Sequence, residues 1–246
     1  MKKAYLRFYE ELNDFLSHAK RKKRFQIVFT SSPSIKDVIE AQGVPHTEVD
    51  LILINGKSKR FTFQLKGEEN ISVYPVFESF DITGIQKLRP KPLRRPKFVL
   101  DVHLGTLAKY MRMLGFDIKY QNNYADSQII DISLHERRAI LTRDLGILKQ
   151  GRVTRGYWVR NTKPVQQIEE IVERFHLKNE IKEFSRCMEC NSILKSIEKD
   201  KVVDRIPLKV KAYHNEFYSC KKCDKIYWKG THYDKMKILI EKLKNT

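Results

Sequence analysis

Long apolar runs are missing from this 246-residue chain; none approaches the roughly 18 residues that a membrane-spanning helix needs. The opening MKKAYLRFYEEL brings acidic residues too early for a secretory signal, so a cytoplasmic protein is expected. Cysteine is absent from the first 186 positions and then occurs four times. Acidic residues are in the minority, 30 against 48 Lys and Arg, for a net charge of +18 and a pI near 9.7. That imbalance draws polyanions through counterion release and makes a nucleic acid the first partner to consider. No internal repeat is present, and low complexity is confined to the basic runs KRKKRF (20–25) and QKLRPKPLRRPK (86–97). What the chain does hold is 41% hydrophobic beside 32% charged residues, enough to bury cores, and a length that suits more than one domain.

The run at 86–97 carries three prolines and six basic residues without apolar periodicity, so it reads as a linker. Before it, a domain of residues 1–85 opens with AYLRFYEELNDFL, a strand and a turn, and continues with the strand RFQIVFT. A helix follows, with Ser34 as N-cap, Ile35, Val38 and Ile39 as its apolar stripe and Gly43 at its end. VDLILING and ISVYPVF are further strands. This order resembles a ubiquitin-like β-grasp such as the small sulfur-carrier proteins. Those carriers end in Gly-Gly, whereas this chain runs on into ESFDITGIQKL, which favours a recognition or interaction module that could meet a protein partner.

Beyond the linker, strands and helices alternate, which implies a parallel α/β layer over residues 98–180. The strands are KFVLDV, DIKYQ, AILTRD and GYWVR, and the helices LGTLAKYMRMLG, DSQIIDISLHERR and PVQQIEEIVERF. Residues 181–246 hold both cysteine pairs and end in a helix, YDKMKILIEKLKN.

Ligands of parallel sheets bind beyond the carboxyl ends of the strands. Asp101 and Asp144 end two of the strands, and Asp126 follows a third at the start of a helix. Three converging carboxylates repel one another unless a divalent cation neutralises them, and an all-oxygen set suits Mg²⁺ or Mn²⁺. Each has a plainer reading as well: Asp126 as a helix cap and Asp144 as a turn former before Gly146. Cys187 and Cys190 are spaced C-x-x-C, as are Cys220 and Cys223, with 29 residues between the pairs. Four thiolates in that spacing suit a structural Zn²⁺, with redox disulfides as the alternative. His214 and His232 are then surplus to the ligand set. Lys221, Lys222, Tyr227, Trp228 and Lys229 are available to contact nucleic acid, although Tyr227 and Trp228 could instead pack the ribbon against its neighbour, and Trp228 suits packing better.

The ordered pieces FVLDVHLGTLAKYMRMLGFD, ADSQIIDIS, RRAILTRDLGILK and GYWVR, followed by RCMECN and CKKCDKIYWKGTHYDKM, resemble the Mut-seven C-terminal (Mut7-C) RNase family. That family has a PIN-like α/β fold with an appended zinc ribbon, and a ubiquitin-like domain often precedes it. The resemblance implies a metal-dependent ribonuclease acting on RNA, tRNA or another structured RNA among the candidates. It carries the acidic positions over to Asp101, Asp126 and Asp144, and basic positions that could meet phosphate to Arg112 and Arg143. The ribbon lysines Lys221 and Lys222 join the expected RNA contacts. A fourth acid common in PIN nucleases is missing, since the matching strand ends WVRNTK. Two other readings stand beside this one. FVLDVHLGT resembles the first motif of haloacid dehalogenase-like phosphatases, but His103 replaces their second aspartate. A non-catalytic RNA-binding protein with a degenerate nuclease core is the alternative of a different class, and a β-grasp domain that restrains the nuclease is a further possibility.

Overall fold

Alternation of apolar and polar residues shapes the strands β1 and β5, continuous apolar runs the buried strands β6 and β8, and 3.6-residue periodicity the longer helices. The computed structural model describes residues 1–75, Leu88 and 96–245. In chain order it contains β1 (Lys2–Phe8), β2 (Phe25–Phe29), α1 (Ile35–Ala41), β3 (Val49–Ile54), β4 (Lys57–Ser58), β5 (Glu69–Pro75), β6 (Phe98–Leu100), α2 (Gly105–Met113) and β7 (Ile118–Lys119). Then come α3 (Asp126–Glu136), β8 (Ala139–Thr142), α4 (Leu145–Lys149), β9 (Gly156–Trp158), α5 (Pro164–Arg174), β10 (Lys195–Ile197), α6 (Leu208–Tyr213), β11 (Phe217–Ser219), β12 (Ile226–Trp228) and α7 (Thr231–Asn245). The proposed linker at 86–97 lies largely outside the described residues.

The chain divides into two compact units, Met1–Pro96 with Ala125–Trp158, and Lys97–Tyr124 with Val159–Thr246. In the first unit, five strands form a mixed sheet of order β2-β1-β5-β3-β4, with β1 parallel to β5 and the other pairs antiparallel. Ala4, Leu6 and Phe8 alternate inward from β1 and meet Ile35, Val38 and Ile39 of α1 in one buried core. Ser34 starts that helix, its Oγ accepting from the Asp37 N–H, which is worth roughly 1 kcal/mol. This is the β-grasp order, a ubiquitin-like module.

The same unit fastens this module to the stretch from α3 to β9. β8 and β9 run parallel in the register Leu141 with Tyr157. A 3-10 turn at His46–Glu48 reaches across to them. The Trp158 N–H donates to Glu48 Oε1 at 2.6 Å, and His46 Nε2 lies 2.8 Å from the Val153 carbonyl oxygen. Phe15 and Trp158 add a ring contact at 5.2 Å. The compact unit therefore extends beyond the module itself, because its side chains meet one backbone group of β9 and one of the turn before it.

In the second unit β6 and β7 are parallel, with Phe98 opposite Ile118 and α2 as their crossover. Leu107, Ala108 and Met111 form the buried stripe of α2, and Ile168, Ile171 and Val172 that of α5. Pro164 sits in the first turn of α5, where its missing N–H costs nothing. The C-terminal part is a three-stranded antiparallel sheet of order β10-β11-β12 over a small core of Val202, Ile206 and Phe217. Trp228 is half-buried against that core, as its packing role required. Gly115 closes α2 at φ +93°, and a Cβ there would collide with the Lys182 carbonyl oxygen, so neither the conformation nor the space admits another residue. The Lys182 and Phe184 N–H groups bond the carbonyls of Leu114 and Met113, at 2.9 and 2.7 Å, which joins ribbon to helix end. Among the described residues no helix is long and apolar enough to cross a membrane.

Candidate active site and metal centre

The cysteines are brought together by two turns of one design. In each, the first cysteine's carbonyl accepts an N–H four residues on, from Asn191 at 2.9 Å and from Asp224 at 2.8 Å. Asn191 and Asp224 both take left-handed backbone, φ 69° and 59°, which Asn and Asp tolerate better than most residues. The four ligand atoms lie within 4.8 Å of one another, and all four cysteines are outside disulfides. Cys187 Sγ is 3.4 Å from Cys223 Sγ, and Cys190 Sγ is 3.2 Å from Cys220 Sγ. Four sulfurs converging in this way fit a structural zinc. Burial raises the Cys190 thiol, but hydrogen bonds from Ser192, Cys220 and Cys187 together outweigh it and draw the pKa down to about 6. The Tyr227 hydroxyl lies 3.1 Å from Cys187 Sγ. Burial, then that contact, pushes its pKa upward, so the phenol keeps its proton and can donate it in a hydrogen bond to the sulfur.

The carboxylates stand where strands give way to helical turns. Asp101 follows β6 directly, is 4% exposed, and accepts the Val102 N–H on Oδ1 at 2.6 Å. Asp144 follows Thr142 and Arg143 at the end of β8; it caps α4, accepting the Gly146 N–H at 2.6 Å, and is solvent-exposed. Its own N–H donates to Thr142 Oγ1 at 2.8 Å. Asp126 is the exposed first residue of α3, where the helix dipole favours its charge. The Gln128 side chain caps that helix through the Ala125 N–H. The turn-forming role allowed for Asp144 is thus present, and it also orients that carboxylate; the cap allowed for Asp126 is made instead by Gln128 at the Ala125 N–H. His103 is exposed.

The basic residues separate into two kinds. Lys221 and Lys222 are exposed at the tip of the second cysteine turn. Arg143 is half-buried, and its backbone carbonyl accepts from Trp158 Nε1 at 3.3 Å. Arg112 is only 3% exposed and turns inward. Its guanidinium donates to the carbonyls of Ile118, Tyr120, Met188 and Glu189, the closest at 2.6 Å. Burial lowers its pKa, opposed by the neighbouring Cys187, Cys190 and Glu189. It ties the α2–β7 layer to the first cysteine turn, a different task from the phosphate contact expected of it.

Sequence reasoning passed over Glu170. No acid follows β9 in the chain, yet this α5 carboxylate returns to the loop there and accepts from the N–H groups of Arg160 and Asn161, at 2.8 and 2.9 Å. On an amphipathic helix it looked like one more solvated charge. Glu48 and His46 were passed over as well, since the backbone groups they meet at Trp158 and Val153 lie more than a hundred residues downstream.

A ubiquitin-like module ahead of a parallel α/β layer and a four-cysteine ribbon defines a class of multidomain protein. The model of the Mut7-C RNAse domain matches residues 96–240, and that of the Mut7-C ubiquitin domain matches residues 1–81. The first spans more than half of the sequence, and the chain belongs to the Mut7-C RNase family. No curated protein and no solved structure matches it. Membership implies a ribonuclease, and so an RNA substrate.

Proposed function

We propose that the chain hydrolyses RNA phosphodiester bonds with Asp101, Asp126 and Asp144 as ligands of one or two Mg²⁺ or Mn²⁺ ions. The observation that carries the reading is the placement of Asp101 directly after, and Asp144 two residues beyond, the carboxyl end of a parallel strand, each held by a backbone N–H of the following turn. The donor set fits the metal, being all oxygen and anionic, which suits hard cations. Such an ion supplies an activated water and charge neutralisation at phosphorus.

The chain's own residues do the rest. Hydrogen bonds from Val102 and Gly146 hold two carboxylates in fixed orientation, so little ordering remains when the substrate arrives. Arg143, beside Asp144 in the chain, supplies a cation for a phosphate oxygen. Lys221 and Lys222 follow the RNA backbone, so affinity falls steeply as salt is raised.

The test is Mg²⁺- or Mn²⁺-dependent cleavage of RNA by the unmutated protein and by Asp101→Asn and Asp144→Asn. Each variant should retain its fold and lose at least about 100-fold in rate, on the order of 3 kcal/mol of transition-state stabilisation. RNA binding without cleavage by the unmutated protein, with either ion, overturns the proposal. It would favour a non-catalytic RNA-binding protein, a reading encouraged by the fourth acid's absence and by the use of Glu170 on backbone N–H groups.

A further inference from the structure

We propose that the ribbon carries a stacking pocket for an unpaired base of RNA, formed on the face that displays Tyr218 and Tyr227; this rests on RNA being the ligand. Tyr218 pairs with Tyr227 across β11 and β12, and Phe217 pairs with Trp228. Alternation along the strands sends Phe217 to the buried core with Val202 and Ile206, and the tyrosine pair to the opposite face. Tyr218 is left 37% exposed. A cavity of about 440 Å³ opens there, a size ordinary for small-ligand sites. Phe184, Tyr233 and Met236 also line it. Phe184 and Tyr233 pack with ring centroids 4.5 Å apart, so aromatic planes recur around the space.

Three features favour a nucleobase over another occupant. Planar rings offer a sequence-tolerant stacking surface that any base can use. The Tyr227 ring is fixed by its hydroxyl against Cys187 Sγ at 3.1 Å, so one platform is organised before a ligand arrives. The surroundings are cationic: residues 181–246 contain sixteen Lys and Arg against nine Asp and Glu. Lys229 and Arg186 belong to the lining, and the one acid there, Glu183, is paired with Lys237 at 2.5 Å and Lys244 at 3.4 Å. A phosphodiester chain is thus drawn to the region while one base is held by its faces.

Binding of a labelled single-stranded oligouridylate and of an equally long RNA duplex is measured on the full chain carrying Asp101→Asn, at one salt concentration. Tyr218→Ala should weaken the single strand by about 10-fold or more and leave the duplex unchanged within roughly twofold, and Tyr218→Phe should bind as the parent does. Thermal melting should be unaltered, because Tyr218 sits outside the ribbon core. Unchanged single-strand affinity, or equal losses for both RNAs, overturns the pocket. So does capture of a peptide with no effect of Tyr218→Ala on RNA. Cleavage by the Asp101-containing protein is scored separately. A pocket that binds without cutting removes the nuclease and keeps the pocket, and cutting with pocket-independent binding does the reverse.

Discussion

Replacing Arg112 by alanine strips donors from the carbonyls of Ile118, Tyr120, Met188 and Glu189 at once. A carbonyl left unpaired costs about 1–3 kcal/mol when buried, as at Ile118, and less where it is partly exposed, as at Tyr120, Met188 and Glu189. Four such losses share one cavity and are not additive, so the expected destabilisation is about 3–5 kcal/mol, the range for breaking a buried charged network. At roughly 2–4 °C per kcal/mol for a chain of this length, melting should fall by about 6–20 °C. Two of the acceptors lie between Cys187 and Cys190, so a chelator should extract zinc faster from the variant than from the parent. Lysine should recover less than about half of the loss, because one ammonium cannot span both groups of carbonyls as the planar fork does. Circular dichroism melting with a zinc-release assay reads both effects. Arg112→Ala that melts within about 2 °C of the parent, or that loses RNA affinity at normal stability, refutes the reasoning and restores a phosphate role.

Gly115→Ala should cost more than about 2 kcal/mol, since φ +93° and the Lys182 carbonyl oxygen both exclude a Cβ; a melting point within about 1 °C of the parent would count against it. The Glu183 carboxyl is held below the usual range, first by its hydrogen bond from Lys237 and further by Lys244, with burial opposing. Its contribution is therefore complete above the unfolded carboxylate pKa and disappears as pH falls through the lower folded value. Being partly exposed, the pair is worth about 0.5–1 kcal/mol, and amide exchange in α7 should quicken below about pH 4 in the parent but show no such step in Glu183→Gln.

Much of this was legible because it is periodic. The α1 stripe of Ile35, Val38 and Ile39, the buried face of α2 and the cysteine spacing announce themselves in one dimension. Other parts carry no such period. α4 has five residues and the ribbon strands three each, too few to repeat a pattern. The inward turn of Arg112 depends on acceptors 76 and 77 residues away, so its sequence neighbourhood suggested only a cation on a helix. Glu170 and Glu48 likewise serve backbone groups that only the fold brings to them.

The bond from the Trp158 N–H to Glu48 makes the amino-terminal module part of the masonry around β8 and β9. A truncation starting after it would open a seam along Gly156–Trp158, unpick the indole that steadies Arg143, and slacken the stretch that bears Asp144. Loss of cutting by such a fragment would then register a frayed edge strand, and a single Glu48→Gln exchange in the intact chain would be the cleaner incision.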